Sequence, residues 1–246
     1  FVMREETTQA RITTLPYQQL VFKFIAHFDR CVLRMSPGFG KTYMLAASAM
    51  WRLGKDNTVR GAVISAGQSQ AQKPVAMVRD YIEHSHELHL TFPKLRPSPR
   101  DGDPWTQSKI TVDRPPGIRD ASLTAVGYRG KLPGARLNWI LCDDLLTEEN
   151  TNTPGARAAM GGWLSTPVLS RRDIADTKIT VTNTPYHPDD LTYRLEKAGW
   201  PTLNLDVDGN ITFRNTCASD LYEGIDLPPG GEFDCVVAMF HDQGHT

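Results

Sequence analysis

Ser36-Pro37-Gly38-Phe39-Gly40-Lys41-Thr42 follows the apolar run Cys31-Val32-Leu33 and leads into Tyr43-Met44-Leu45-Ala46-Ala47-Ser48-Ala49-Met50-Trp51. The order is strand, glycine loop, Lys-Thr, helix. In that setting backbone N–H groups wrap phosphates, the lysine reaches the β/γ oxygens, and the threonine hydroxyl can hold Mg²⁺. The start of the helix adds its own partial positive charge at the same point. Residues 36–42 therefore read as a phosphate-binding loop, and a nucleoside triphosphate is the expected ligand. Within it Ser36, Pro37, Gly38, Phe39, Gly40, Lys41 and Thr42 are the candidate binding residues.

The spacing departs from G-x-x-x-x-G-K-[ST]. The position of the first glycine is Met35, and the extra glycine stands at Gly38. A strand–turn–helix connection that uses glycines only for tight geometry accounts for the same letters. The surrounding chain has to choose between the two.

The composition is that of an ordinary globular chain: of 246 residues, 40% are hydrophobic and 22% charged. The formal net charge of −1 argues against a strongly basic, DNA-coating protein, though not against local basic patches. No apolar run approaches the ~18 residues of a membrane span, and no signal peptide is visible. Cys31, Cys142, Cys217 and Cys235 form no C-x-x-C pair, so buried thiols are expected rather than zinc or a disulfide framework. The chain opens on Phe1, as a fragment of a longer protein would.

Apolar spacing predicts helices over 17–28, 42–53, 70–86, 157–164 and 190–197. Buried strands are expected at 31–35, 61–66, 122–127, 137–142 and 178–182, with one more at 109–112 inside the proline-rich stretch 92–117. Strands alternating with helices predict an α/β fold: a mainly parallel sheet with helices on both faces. The expected division is a P-loop ATPase domain over 1–205 and a C-terminal appendage or linker over 206–246.

Three further segments carry chemistry. Trp139-Ile140-Leu141-Cys142-Asp143-Asp144 is a buried strand closed by two acids. Asp143 is a candidate for Mg²⁺, and Asp144 for accepting a proton from attacking water. Asp is also common where a strand simply turns. Thr180-Val181-Thr182-Asn183-Thr184 brings polar groups to the same sheet edge, where Thr182, Asn183 or Thr184 could sense the γ-phosphate. The following Pro188-Asp189-Asp190 reads equally as a helix start. Gly127-Tyr128-Arg129-Gly130-Lys131-Leu132-Pro133-Gly134-Ala135-Arg136 is a glycine-rich basic loop. One of its arginines could reach a neighbouring subunit's nucleotide, or the loop could be a solvated surface.

The ordered set G-F-G-K-T, then G-K-L-P-G-A-R-L-N-W-I-L-C-D-D, then T-N-T-P-Y-H-P-D-D-L resembles the large terminase subunits of tailed double-stranded DNA bacteriophages, over roughly 15–205. The resemblance implies a RecA/ASCE-like P-loop NTPase fold and an ATPase that uses ATP and Mg²⁺ to drive viral DNA into a procapsid. It implies a homo-oligomeric ring, a pentamer, that grips double-stranded DNA without reading sequence. Portal protein and small terminase subunit are the implied partners, with no membrane, in the host cytoplasm at the portal vertex. Carried over residue by residue, Gln18 matches the glutamine that reads adenine. Lys41 and Thr42 match the phosphate loop, Asp143 the Mg²⁺-linked acid, and Asp144 the catalytic carboxylate, a glutamate in many relatives. Thr184 matches the coupling threonine and Arg136 the arginine offered to a neighbouring subunit, with Arg129 as second choice. Many relatives carry an arginine where this loop has Pro37, which favours an arginine supplied across an interface. The relatives continue into an RNase H-like nuclease domain. The residues after 205 are too few for one, so nuclease activity is not expected in this chain. Lys94, Arg96, Arg100, Arg171 and Arg172 are candidate DNA contacts, each also readable as a solvated charge.

Two other functions share the phosphate loop: a helicase-like or other nucleic-acid-stimulated ATPase, and a nucleotide-binding regulatory module without turnover. A helicase would need a second RecA-like domain. A mere binder has no use for a water-activating carboxylate.

Overall fold

In a computed structural model that describes residues 14–134, 136–171 and 177–216, the glycine loop 36–40 bridges the first strand and the second helix. Pro16 opens α1 (Pro16–His27), where its fixed φ suits the first helical turn. β1 (Arg30–Met35) is buried along nearly its whole length and runs into the loop. Gly40 ends the loop in a left-handed conformation at the start of α2 (Lys41–Lys55). β2 (Gly61–Ser65), α3 (Gln68–His84) and the short α4 (His86–Thr91) follow. The proline-rich stretch then contributes only β3 (Lys109–Ile110) before β4 (Leu123–Gly127). β5 (Trp139–Asp143) carries the tandem acids at its end. Two capped helices come next: α5 (Glu148–Thr151), a single turn behind Thr147, and α6 (Pro154–Trp163) behind Thr153 with Pro154 at its first position. β6 (Lys178–Asn183), α7 (Leu191–Lys197), β7 (Thr202–Leu205) and β8 (Ile211–Arg214) complete the described chain.

The strands form one sheet of order β3-β4-β2-β5-β6-β1-β7-β8. The six inner strands are mutually parallel, and β3 and β8 are antiparallel edges. β6 lies between β1, which leads into the glycine loop, and the acid strand β5. The C-terminal ends of β1, β6 and β5 are therefore neighbours, which is where ligands bind in open α/β sheets. This is the mainly parallel α/β sheet with helices on both faces expected from the sequence.

Side-chain alternation divides the core between the two faces. Leu33, Met35, Val63 and Leu141 pack with α1, α2 and α3. Val32, Ala62, Ile64, Ile140, Cys142 and Val181 join Met160 of α6 and Leu191 and Leu195 of α7 on the other face. Each such fully buried aliphatic side chain is worth about 1.5–3 kcal/mol, which holds the strand ends in place.

Three differences from the sequence reading stand out. α3 runs from Gln68 to His84, so the expected helix 70–86 starts and ends two residues earlier and a separate short helix follows. The expected strand 109–112 shrinks to two residues plus isolated bridges Pro97–Val112 and Trp105–Ile110. The sheet continues through β7, paired with β1, and β8, paired with β7, so it extends past position 205 to Arg214. The segments 1–13 and 217–246, with Cys217 and Cys235, and Arg172 of the candidate DNA contacts, lie outside the described residues. Among the described residues no helix is long and apolar enough to cross a membrane. Cys31 and Cys142 are free and buried, and burial pushes both thiols up to about 12.

Candidate active site

Two glycines shape the loop. Gly38 has φ +88° and Gly40 φ +72°, conformations that a Cβ penalises. Met35, where the usual first glycine would be, is instead the last residue of β1 and is wholly buried. Its carbonyl accepts from Lys41 Nζ at 3.0 Å. Lys41 Nζ also donates to the Ser36 carbonyl at 3.3 Å and to Thr184 Oγ1 at 2.9 Å. Thr184 Oγ1 in turn donates to the Met35 carbonyl at 3.2 Å. The lysine is thus buried against the preceding loop, with all three ammonium protons directed at oxygens.

Thr42 Oγ1 donates to Asp143 Oδ2 at 3.0 Å. The other oxygen, Asp143 Oδ1, is buried without a protein partner. Burial, and then the neighbouring Asp144 charge, raise the Asp143 carboxyl to about 6, against the smaller opposing pull of Thr42 and Lys41. Asp144 Oδ1 stands 3.8 Å from Lys41 Nζ. Asp144 has φ +45°, uncommon for a residue with a side chain. Its backbone is tied on both sides: its N–H donates to the Thr182 carbonyl and its carbonyl accepts from Ala66 N–H.

Lys41, Thr42, Asp143, Asp144 and Thr184 therefore meet at one sheet edge. A hydroxyl and a buried carboxylate with a spare oxygen form a hard-oxygen donor set that suits Mg²⁺. Among the described residues no group of three or more His, Cys, Asp and Glu could hold a metal.

Gln18 flanks the same loop. Its Oε1 accepts from Leu15 N–H at 3.0 Å, and its Nε2 donates to Tyr17 Oη at 3.3 Å. Tyr17, which sequence reading passed over, donates to the Phe39 carbonyl at 3.5 Å and meets the Phe39 ring edge-on at 5.6 Å. An aromatic one residue before a candidate binding glutamine was the available signal. Asn183 is wholly buried and spends its amide on the fold: Oδ1 accepts from Leu146 N–H and Nδ2 donates to the Thr184 carbonyl, both at 2.7 Å. It joins the turn after the acids to the threonine loop. Asp190 caps α7, accepting from Thr192 and Tyr193 N–H and from Tyr186 and His187 N–H. The helix-start reading of Pro188-Asp189-Asp190 thus describes that stretch.

The loop arginines sit apart from this cluster. Arg129 is exposed just beyond β4, on the same sheet edge but two strands from β5, roughly 10 Å sideways. It stacks 5.1 Å from the Tyr128 ring centroid. Arg136 precedes β5 and donates to the Ser170 carbonyl, so it lies at the opposite end of that strand from Asp143. A five-residue strand is ~16 Å long, which puts Arg136 out of reach of the Lys41–Asp143 cluster of its own chain. Arg96 and Arg171 bond the Leu95 and Gly134 carbonyls, Arg100 bonds the Arg114 carbonyl, and Lys94 is exposed. A separate apolar cavity of about 480 Å³, lined in part by Phe22, Ile25, Trp51 and Trp139, shares none of the residues of the Lys41–Asp143 cluster.

No family model matches the chain. Among curated proteins it is 25% identical over 217 residues to the large terminase subunit of Enterobacteria phage T3. The match takes in 84% of this chain and 34% of that protein. The chain is similar to phage large terminase subunits. It spans about a third of the length of that relative. Among solved structures, an arginine-to-alanine variant of the Thermus phage P74-26 large terminase ATPase domain aligns at 19% identity with a TM-score of 0.45, over 75% of this chain and 74% of that one. The same phage's large terminase ATPase domain without the substitution aligns at 21% identity with a TM-score of 0.38, over 70% and 65%.

Proposed function

We propose that this chain hydrolyses ATP as the motor part of a large terminase and so powers movement of double-stranded DNA into a procapsid. One observation carries the reading: Lys41 and Thr42 at the start of α2, Asp143 and Asp144 at the end of β5, and Thr184 just after β6 converge within hydrogen-bonding and ion-pair distance. A pure phosphate binder needs the first two. The tandem acids serve a reaction.

The proposed roles are assigned to these residues in turn. Backbone N–H groups of the loop and the α2 start receive the phosphates. Lys41 exchanges one of its present oxygen partners for a phosphate oxygen. Thr42 and Asp143 would hold Mg²⁺, which when bound would neutralise charge on the phosphates. Asp144 orients the attacking water and accepts its proton. Thr184, hydrogen-bonded to Lys41, senses what the lysine holds and passes it through the 184–190 loop to α7. Arg136 from a neighbouring subunit completes the charge stabilisation, with Arg129 as the other candidate. Such a residue is worth about 10³–10⁵ in rate. Gln18 reads the adenine beside Tyr17. A homo-oligomeric ring at the portal vertex, with portal protein and small terminase subunit as partners, belongs to the same proposal.

Phosphate release by the wild type and Asp144→Asn, with and without double-stranded DNA and portal, tests it. Turnover should rise with DNA and fall by about 10²–10⁴ in Asp144→Asn while nucleotide binding survives. Equal turnover in the two proteins would refute the assignment.

A further inference from the structure

The register of the sheet sets two more side chains beside Asp143. Asp143 pairs with Thr182 of β6, and Ile64 of β2 pairs with Cys142, so Ser65 stands next to Asp143 on its other side. All three fall on the α2 side, because Val63 and Leu141, two positions earlier, pack there. Ser65 and Thr182 are both wholly buried, and neither hydroxyl has a hydrogen-bond partner. The adjacent Asp143 Oδ1 has none either. One unpartnered buried hydroxyl is costly and uncommon in a folded protein. Two of them flanking an unpartnered buried carboxylate oxygen, at the mouth of the phosphate loop, form a ligand-directed arrangement rather than a packing accident. Val or Ala at both positions would pack with no such penalty.

We propose that Ser65 and Thr182 are positioning residues for the magnesium-bound triphosphate, acting through Asp143. Their hydroxyls fix the free oxygen of Asp143 and the water through which it reaches the cation. The inference rests on the ATPase reading above and names residues that reading does not use. Groups of this outer kind typically change metal affinity 10–100-fold when removed.

Binding of a fluorescent nucleotide, titrated with Mg²⁺ and repeated in EDTA, supplies a readout independent of turnover. In the double variant Ser65→Ala with Thr182→Val, affinity in EDTA should match wild type. The Mg²⁺ concentration for half-maximal tightening should rise at least ~10-fold. Thr182→Ser, which keeps the hydroxyl, should retain the wild-type value and guards against a fault of packing. Without nucleotide the double variant should melt no lower than wild type, since it loses only unpartnered groups. An unchanged Mg²⁺ requirement, or a lower melting temperature with an unchanged requirement, would overturn the proposal. Asp143→Asn separates the two levels of inference. If it abolishes the Mg²⁺ effect and the double variant does not, only Ser65 and Thr182 are wrongly assigned. If it leaves the effect intact, the magnesium site itself is misplaced and both readings fall.

Discussion

Asp143→Asn should stabilise the nucleotide-free protein while disabling it. The carboxyl is almost fully buried, and its pKa rises from an ordinary 3.8 to about 6. Burial is the larger cause and the Asp144 charge the next. Below pH ~4 both folded and unfolded chains hold the proton, and Asp143 costs nothing. Between pH ~4 and ~6 the unfolded chain has released a proton that the folded chain still holds, so stability falls as pH rises. Above pH ~6 the loss is complete. About two pH units at ~1.4 kcal/mol each gives about 3 kcal/mol of destabilisation at neutral pH. Asparagine matches the shape, keeps an acceptor for Thr42 Oγ1 and carries no charge. For a domain of this size 1 kcal/mol moves the melting temperature by about 2–4 °C. The variant should therefore melt about 6–12 °C above wild type at pH 7–8 and close to it at pH 4. Thermal melts by circular dichroism across that range, in EDTA without nucleotide, measure the gap. A gap that does not open with pH would refute the view of Asp143 as a buried charge held in readiness for a cation.

Three other outcomes are expected. Gly40→Ala forces a Cβ onto φ +72° and should cost about 1–2 kcal/mol in urea unfolding, with weaker nucleotide binding; Gly134→Ala, in open space with no positive φ, is the near-neutral control. Asp190→Ala removes the acceptor for four backbone N–H groups and the Thr192 hydroxyl, and should cost about 2–4 kcal/mol by denaturant midpoint; a loss under ~0.5 kcal/mol would mean the capping contacts carry little. Arg136→Ala subunits mixed into an assembled ring should lower turnover as their share rises, and undiminished turnover in a fully substituted ring would exclude Arg136 as the arginine acting in trans.

Much of the site was legible from letters in series. Gly38, Gly40, Lys41 and Thr42 are contiguous, and the α/β alternation around them predicts a parallel sheet whose loops share an edge. Asp143 and Asp144 close a strand whose apolar run is unmistakable. What escaped the sequence reading did so for physical reasons. β7 and β8 are four residues each, too short for a period to emerge, and their strand conformation comes from pairing with β1 and with each other. Thr182, Asn183 and Thr184 were interchangeable as candidates, because strand alternation assigns faces only once register is known. The fold separates them: Asn183 ties two loops together, Thr184 touches Lys41, and Thr182 lies beside Asp143.

The amino-acid sequence alone determined that a glycine-rich Lys-Thr loop, a strand ending in tandem acids and a threonine-bearing strand occur in this order, since each is a local pattern of backbone freedom, hydrophobicity and charge. Only the tertiary structure decided that β6 inserts between β1 and β5. Strand order is set by long-range packing of two apolar faces, which no local pattern encodes. That insertion puts Thr184 against Lys41, sets Ser65 and Thr182 on either side of a buried carboxylate, and carries Arg136 to the far end of the sheet.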